Sequence, residues 1–486
     1  MKNRILALLL AAMMVLSLVA CAAKETPTPE EPAKTEEPAK TEEPAKTEEP
    51  AQTEEPAQTE TVTLRWIGAG WSQNDKAPRI IEKWNAIHPE IQIEYIELGT
   101  GVDEGYLYNL DTMISGGEEV DLTYLTYDDV YKRVINGGAT PLTEYINANG
   151  DDFEAMYGTL STAMLTYQDD IYGIPFAGNT FKVFYNKTMT DAAGITIPET
   201  WSIDEFTEVA KQLNDPDNGV YGCVFPYTWD SIACVPAQLC GWNSVKVLDD
   251  GTIAPNFDDE TFKATMQWAH DLAAVENVGP TLATMTSESI NRRQALATGK
   301  AAMILDGPYT LVWLQNYMFN DPGEGQLDFE LGVTNVPYTN DLGKDVSYNT
   351  VAGAFYVPKS AKYPAEAYEF AKFICNECSV ECSNYMPIYR DADMVAATKS
   401  FTEYTDANGE LHTDVYPQDV AIAAVSTPFE SHVGRYNYDP SLSTYVSLMS
   451  TLYSEQYALY MNDEMSLDDW VAMMQDLGAA EIANAN

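Results

Sequence analysis

The stretch TVTLRWIGAGWSQNDKAPRIIEKWNAIHPEIQIEYI, residues 61–96, changes its hydrophobic period twice. Val62, Leu64 and Trp66 alternate with polar residues, the period of a strand with one buried face. Asn74 and Asp75 stand ahead of a helix beginning near Pro78, which sets Ile80, Ile81, Trp84 and Ile87 on one face. His88-Pro89 closes that helix, because a residue before proline is pushed out of the α region. IQIEYI (91–96) then returns to extended chain. A second helix over 106–113 stops at Gly116-Gly117, and VDLTYL (120–125) supplies a third strand. Strand–helix–strand units in succession predict an α/β lobe with parallel neighbours.

The pattern continues outward. YGIPF (172–176) and FKVFYNK (181–187) are short extended segments. WSIDEF (201–206) opens a helix carrying Phe206, Val209 and Leu213, with Ser202 and Glu205 spaced as a capping box. Residues 288–298 form a further helix. GKAAMILDGPYTLVWL (299–314) passes from strand to helix through Gly307-Pro308. LGVTNVP (331–337) and VAGAFYVP (351–358) are strands, and 364–375 is an amphipathic helix. The last hundred residues are mainly helical in pattern.

From Thr61 to the end the chain is too long for one ordinary core, so two lobes are expected. All nine Trp and all thirty Tyr lie in that body, enough for large cores and an aromatic binding surface. The formal charge of −47 excludes nucleic acid and simple adsorption to acidic lipid. It favours a self-repelling monomer with a neutral or cationic partner. Of the cysteines beyond Cys21, Cys234 and Cys240 could pair across a short loop. Cys375, Cys378 and Cys382 could face one way and bind a metal, but the same spacing suits the buried stripe of a helix, and no fourth ligand is evident.

The N-terminus has the layout of a signal peptide: Lys2 and Arg4, an apolar run over 5–20, then Leu18-Val19-Ala20-Cys21. That ending resembles the lipobox of bacterial lipoproteins, which implies that residues 1–20 are removed and that Cys21 carries the lipid. Residues 22–60 repeat EEPAKT and EEPAQT and hold no Leu, Ile, Val or aromatic residue, so they cannot build a core. They read as a solvated tether with local polyproline II character, reaching on the order of 120 Å when extended.

Several segments of the body, in order, resemble the extracellular solute-binding proteins of ABC importers, in particular those that bind sugars and oligosaccharides. They are NAIHPEIQI (85–93), VDLTYL (120–125), YGIPF (172–176), VFYNKTM with GITIPETWSIDEF (183–206), GKAAMILDGPY (299–309) and GAFYVPKSAKYPAEAYEFAKFI (353–374). The resemblance implies a two-lobed, type II periplasmic-binding-protein-like α/β fold with hinge crossings and a ligand cleft. It divides the body into 61–178 with 332–385, and 184–330 with 388–486. Hinges then fall near Thr180, Leu331 and Pro387. It also implies a membrane permease as partner.

A sugar presents C–H faces that rings cover and a hydroxyl rim that polar side chains bind. Tyr309, after the Gly307-Pro308 turn, matches an aromatic position of the family and is the leading stacking residue, with Asp306 beside it. Trp71 and Asp75 lie on a glycine-rich loop after the first strand, and Tyr127 and Asp128 on a loop after the third. Trp229, Trp242 and Trp313 are further ring candidates. Tyr356 and Arg390 border the cleft crossings. Asp121 organises its lobe rather than touching ligand.

Other chemistry is poorly supported. The sequence holds no GxSxG, no Walker-type loop and no HExxH. His88 is structural. Asp215-Pro216-Asp217-Asn218-Gly219 is a tight turn rather than a calcium loop. Asp128 and Asp129 are adjacent and suit two opposed catalytic carboxylates poorly. No cofactor, metal or catalytic residue is expected. The expected function is a lipid-anchored receptor at the outer face of the cell membrane, closing on a small neutral carbohydrate. The alternatives are a binder of a polyamine, peptide or phosphate ester on the same fold, and a tethered glycoside hydrolase or adhesin.

Overall fold

The computed structural model describes residues 61–69, 76–99, 104–225, 239–320, 327–339, 350–378, 386–426 and 442–485. Cys21 and the tether lie outside them. The strands of its two larger sheets are β1 (Val62–Ala69), β2 (Ile91–Gly99), β3 (Leu122–Thr126), β4 (Ile174–Asn179), β5 (Lys182–Asn186), β6 (Tyr221–Val224), β7 (Ala301–Asp306), β8 (Leu331–Asn335), β9 (Thr350–Tyr356) and β10 (Met386–Pro387). The helices that matter below are α1 (Ala77–Ile87), α2 (Glu104–Ser115), α3 (Tyr127–Ile135), α4 (Ile203–Leu213), α5 (Glu260–Ala274), α6 (Arg292–Ala297), α7 (Thr310–Phe319), α8 (Pro364–Glu377), α9 (Gln418–Val425), α10 (Ser443–Met461) and α11 (Leu467–Ala485). Among the described residues no helix is long and apolar enough to cross a membrane.

The first sheet has six strands in the order β10-β4-β9-β3-β1-β2. β1 runs parallel to β2 and β3, as repeated strand–helix–strand units require. β9, from far along the chain, inserts antiparallel between β3 and β4. Leu64 and Trp66 point inward and are fully buried. Trp66 meets Tyr95, Phe355 and Phe370 edge-on at 4.8, 6.1 and 5.5 Å. Such pairs contribute about 0.5–1.5 kcal/mol each beyond burial. On α1, Ile80 and Trp84 are buried as expected, but Ile87 is 58% exposed. The last turn is fastened differently: Trp84 Nε1 donates to Ile91 O at 3.0 Å, and His88 stacks on the Trp84 ring at 4.1 Å.

Asp121 is wholly buried and binds two segments through three backbone donors. Its Oδ2 accepts from Arg65 N at 2.9 Å, and its Oδ1 from Lys362 N at 2.8 Å and Tyr363 N at 3.4 Å. It organises its half of the molecule through backbone donors.

The second sheet has four strands in the order β8-β5-β7-β6, with β7 parallel to β6 and antiparallel to β5. Ser202 and Glu205 form the capping box of α4, with reciprocal bonds of 2.8 and 3.2 Å. Phe206 then packs edge-on against Trp201 and against Trp268 of α5. Gly222 on β6 lets the backbone of α4 lie directly against the strand: a Cβ there would overlap the carbonyl of Ala210. Asp215 caps the short turn Pro216–Asn218, and Gly219 follows at φ 70°, so this segment is the tight turn expected.

The C-terminal region is largely helical. α9 packs on β8, α10 on α11, and α11 on the hairpin strand Ile253–Pro255. One feature was not anticipated, the antiparallel pair Glu403–Thr405 with Leu411–Thr413.

β4 ends at Asn179 in the first sheet and β5 begins at Lys182 in the second. The crossing expected near Leu331 is displaced. β8 pairs with β5, Tyr338 N donates to Trp201 O at 2.9 Å, and Thr339 N donates to Leu239 O at 2.8 Å. Residues 332–339 therefore stay with the second sheet, and the chain is next described in the first sheet at Thr350. Cys375 and Cys378 lie in the buried stripe of α8 and at its C-cap, with Cys375 Sγ 4.0 Å from Ile174 O. Cys234 and Cys382 lie outside the described residues.

Candidate functional site

Three polar residues meet at one end of the second sheet. Asp306 ends β7, Lys182 begins β5 and Asn335 ends β8. Lys182 is the register partner of Asp306 on one side and of Asn335 on the other. Directly opposed residues share a face, so all three side chains lie on the same side of the sheet. This end adjoins the crossing at 180–181.

Asp306 is fully buried, and two guanidinium groups converge on it. Arg292 Nη2 donates to Oδ1 at 2.9 Å, Arg293 Nε to Oδ2 at 2.6 Å and Arg293 Nη2 to Oδ1 at 3.2 Å. Gly307 N adds a fourth donor at 2.8 Å. Burial alone would raise this carboxyl, but the charges and bonds of Arg292 and Arg293 outweigh it and hold the group below the usual carboxylate range. Local sequence sets the geometry. Asn291 caps α6 by accepting from Arg293 N and Gln294 N at 2.9 and 3.2 Å, which places both arginines in the first turn.

Lys182 Nζ donates to Asn335 Oδ1 at 2.6 Å and to Ser426 O at 2.7 Å. Burial lowers its ammonium to about 8, with Glu199 pulling it back upward. Asn335 is held in turn: its Nδ2 donates to Glu199 O at 3.0 Å, and its O accepts from Trp201 Nε1 at 2.8 Å. Lys182 thus pins the end of β8 and the end of α9 to the start of β5.

Beyond Gly307-Pro308 comes a stripe of rings. Tyr309 is the N-cap residue of α7, and Trp313 and Tyr317 follow at four-residue spacing, one face of a helix. Tyr309 is half-buried and Trp313 is 48% exposed. The Arg293 guanidinium lies over both, 4.9 Å from the Tyr309 centroid and 5.6 Å from that of Trp313. Asp306 holds Arg293 by a two-pronged ion pair, and Arg293 in turn braces the two rings.

The structure brings Asp306, Tyr309 and Trp313 together. It changes the part of Asp306, whose carboxylate serves two arginines and positions Arg293. Trp242 belongs to the core: it is buried, stacks on Phe262 at 4.0 Å and donates to Asn256 O at 2.8 Å. Tyr356 is buried and its hydroxyl donates to Gly138 O, with burial pushing the phenol well above its ordinary range. The expected loop at 126–129 is the first turn of α3. Thr126 caps it, accepting from Asp129 N at 3.4 Å and donating to Asp129 Oδ2 at 2.5 Å. Tyr127 is consequently buried in the apolar cluster with Val130, Met164 and Leu165. Arg390 is exposed, and its guanidinium rests against Gly158. Trp71, Asp75, Trp229 and the side chain of Asp128 lie outside the described residues.

Arg293, Lys182 and Asn335 were not anticipated. The available signal was the Arg292-Arg293 pair directly after a capping Asn, in a chain with only 27 basic residues. Among the described residues one other cluster gathers metal-ligating types: Asp406, Glu410 and His412 bring donor atoms within 4.8 Å of one another. Asp406 already accepts from Asn408 N and Glu410 N at 2.9 and 2.8 Å, so the cluster is accounted for by the hairpin turn.

Residues 70–377 match the family of bacterial extracellular solute-binding proteins. The chain belongs to this family. As a solute-binding protein it acts by binding rather than by catalysis. Its two α/β halves have the type II periplasmic-binding-protein fold. The curated relatives include an uncharacterised lipoprotein of Streptomyces antibioticus, 28% identical over 252 residues, covering 50% of this chain and 53% of that protein. A maltotriose-binding protein of Pyrococcus abyssi is 26% identical over 233 residues, 48% of this chain and 46% of that one. The solute-binding protein thus spans about half the length of the curated relatives it matches. Among solved structures, a sugar transporter of Rhizobium etli in an open conformation has a TM-score of 0.66 at 20% identity, covering 86% of this chain and 99% of that one. At that identity the likeness is one of fold.

Proposed function

We propose that this solute-binding protein is an extracellular receptor that captures a saccharide between its two halves and delivers it to the membrane permease of an ABC importer. The observation that carries the reading is the stripe Tyr309, Trp313 and Tyr317, with Arg293 bracing the first two rings, at the sheet end where the chain crosses over. Rings beside fixed polar donors are what the C–H faces and hydroxyl rim of a sugar require. The maltotriose-binding relative and the sugar-transporter fold point the same way. In this reading 61–178 and 350–387 form one lobe, and 184–339 with the C-terminal helices the other. Closure excludes water, so that hydrogen bonds of small net value in the open state hold the ligand. Cys21 carries a lipid, and residues 22–60 hold the body away from the membrane. Trp71, Asp75 and Asp128 remain proposed members of the facing wall, and Trp229 of the same wall as Tyr309. No covalent step is involved.

Titration calorimetry against mono- and oligosaccharides, polyamines and peptides tests the reading. A one-to-one complex with a saccharide, weakened in Tyr309→Ala, supports it. Heat from a polyamine or peptide with none from any saccharide sinks it.

A further inference from the structure

Resting on the saccharide-receptor reading, we propose that the ligand carries an acidic group and that Arg293 is the residue that recognises it. Three observations lead there. Arg293 uses Nε and Nη2 on Asp306, and no acceptor among the described residues takes its Nη1. Its side chain is not sealed, with 16% of its surface accessible beside the rings of Tyr309 and Trp313. A guanidinium with one edge fixed and another open is already oriented for a second oxyanion, and its planar donors suit a carboxylate, sulfate or phosphate.

The placement is also costly in a way that packing does not repay. Arg292 and Arg293 occupy the first turn of α6, the end of a helix that disfavours cations. Asp306 supplies one negative charge to two guanidinium groups, both nearly withdrawn from water. Arg293 makes the two-pronged bond to Asp306, and desolvating a cation with a donor edge left over is unfavourable unless something uses that edge. Bracing the rings needs only a flat side chain, not a charge. The net charge of −47 does not argue against an acidic ligand, because fields from surface acids fade beyond about 8 Å in physiological salt. A negatively charged body makes a local cationic contact more necessary for such a ligand.

The geometry also restricts the pose. Arg293 lies over the rings of Tyr309 and Trp313, so the sugar sits beside these rings with its acidic substituent toward Nη1.

The test is calorimetric titration of the full chain with matched pairs: galactose against galacturonate, galactobiose against digalacturonate, glucose against glucose 6-phosphate, and galactose against galactose 6-sulfate. The uronate, phosphate and sulfate arms separate the sources of negative charge. At least one acidic member is expected to bind about tenfold or more tightly than its neutral partner. Arg293→Gln should reduce that preference to less than about threefold while changing the neutral affinity less. Neutral members binding as tightly as every acidic one overturns the proposal, as does a preference that survives in Arg293→Gln. If Arg293→Gln does not fold, the wild-type pairs decide alone, with Arg293→Lys, which keeps the charge without the fork, as the second variant. Binding of neutral saccharides only leaves the receptor reading standing and removes this inference. Absence of all saccharide binding, with heat from a polyamine or peptide, removes both.

Discussion

Lys182 and Asp306 face each other in register on β5 and β7, yet the side chain of each bonds to other partners. Asp306 turns to Arg292 and Arg293, and Lys182 to Asn335 and Ser426 O. One sheet end therefore has two functions: Asp306 fixes the arginine that braces the rings, and Lys182 holds the passage between the halves.

Removing the carboxylate at 306 leaves two buried cations without their counter-charge. Asp306→Asn should destabilise the protein by about 3–5 kcal/mol, the cost of breaking a buried ion pair from one side. Urea unfolding measures it. It should also loosen Arg293 and weaken ligand binding, whereas a loss below about 1 kcal/mol would mean that the arginines find other partners.

The buried ammonium of Lys182 gives a pH signature. Its folded value of about 8 lies below its ordinary 10.5, so folding opposes its protonation. Unfolded chain binds more protons between those values, and stability rises with pH across that window. The penalty is fully present below about 8 and absent above 10.5. Buried tyrosines act oppositely above their ordinary range: burial raises the phenols of Tyr157, Tyr416 and Tyr453, which weakens the fold as pH climbs past 10.0. The clean measurement is the difference in unfolding free energy between wild type and Lys182→Met at pH 7 and pH 10. Relative to the variant, wild type should gain on the order of 2–3 kcal/mol on going to the higher pH.

Trp313 is half in water, so Trp313→Ala should leave the melting temperature almost unchanged. Ligand affinity should fall by roughly 5- to 30-fold, corresponding to about 1–2 kcal/mol for a lost aromatic face. Unchanged affinity would take this ring out of the site.

Gly222→Ala tests the close approach of α4 to β6. The added methyl overlaps the Ala210 carbonyl, a backbone group that cannot rotate away. A loss of at least about 1–3 kcal/mol is expected from overpacking, read by urea or thermal melting. Full stability would show that α4 can slide outward at little cost.

In the proposed reading, lipid attachment rests on one sulfur. Cys21→Ser should release the mature body from the membrane fraction into the medium or periplasm, with saccharide affinity unaltered. Retention of the variant in the membrane pellet would refute anchoring at this residue.

Much of the architecture was readable in the chain because local patterns and the final fold agree. The alternation at Leu64 and Trp66, the capping box at Ser202 and Glu205, and the Gly307-Pro308 turn each depend on near neighbours. Failures came where distant contacts decide. Ile87 fits an apolar face but is exposed, since the Trp84–His88 stack closes that turn. Residues 332–339 read as returning to the first lobe, but pairing with β5 and the bonds of Tyr338 and Thr339 hold them in the second. Aromatic residues were identifiable and their surroundings were not: Trp242 and Tyr356 are buried whereas Trp313 is open. Arg293 was missed because its value comes from Asp306, thirteen residues away in sequence, and from rings on another helix.

Asp121 and β9 have a consequence for biogenesis. The donors of Lys362 and Tyr363 reach Asp121 only after more than two hundred further residues have been made. The strand that separates β3 from β4 is likewise synthesised after the second sheet. A nascent chain emerging from an export channel therefore cannot complete its leading half early. It must keep the rows of β3 and β4 unpaired until the later strand arrives, an interval in which a holding chaperone would guard against edge-to-edge association.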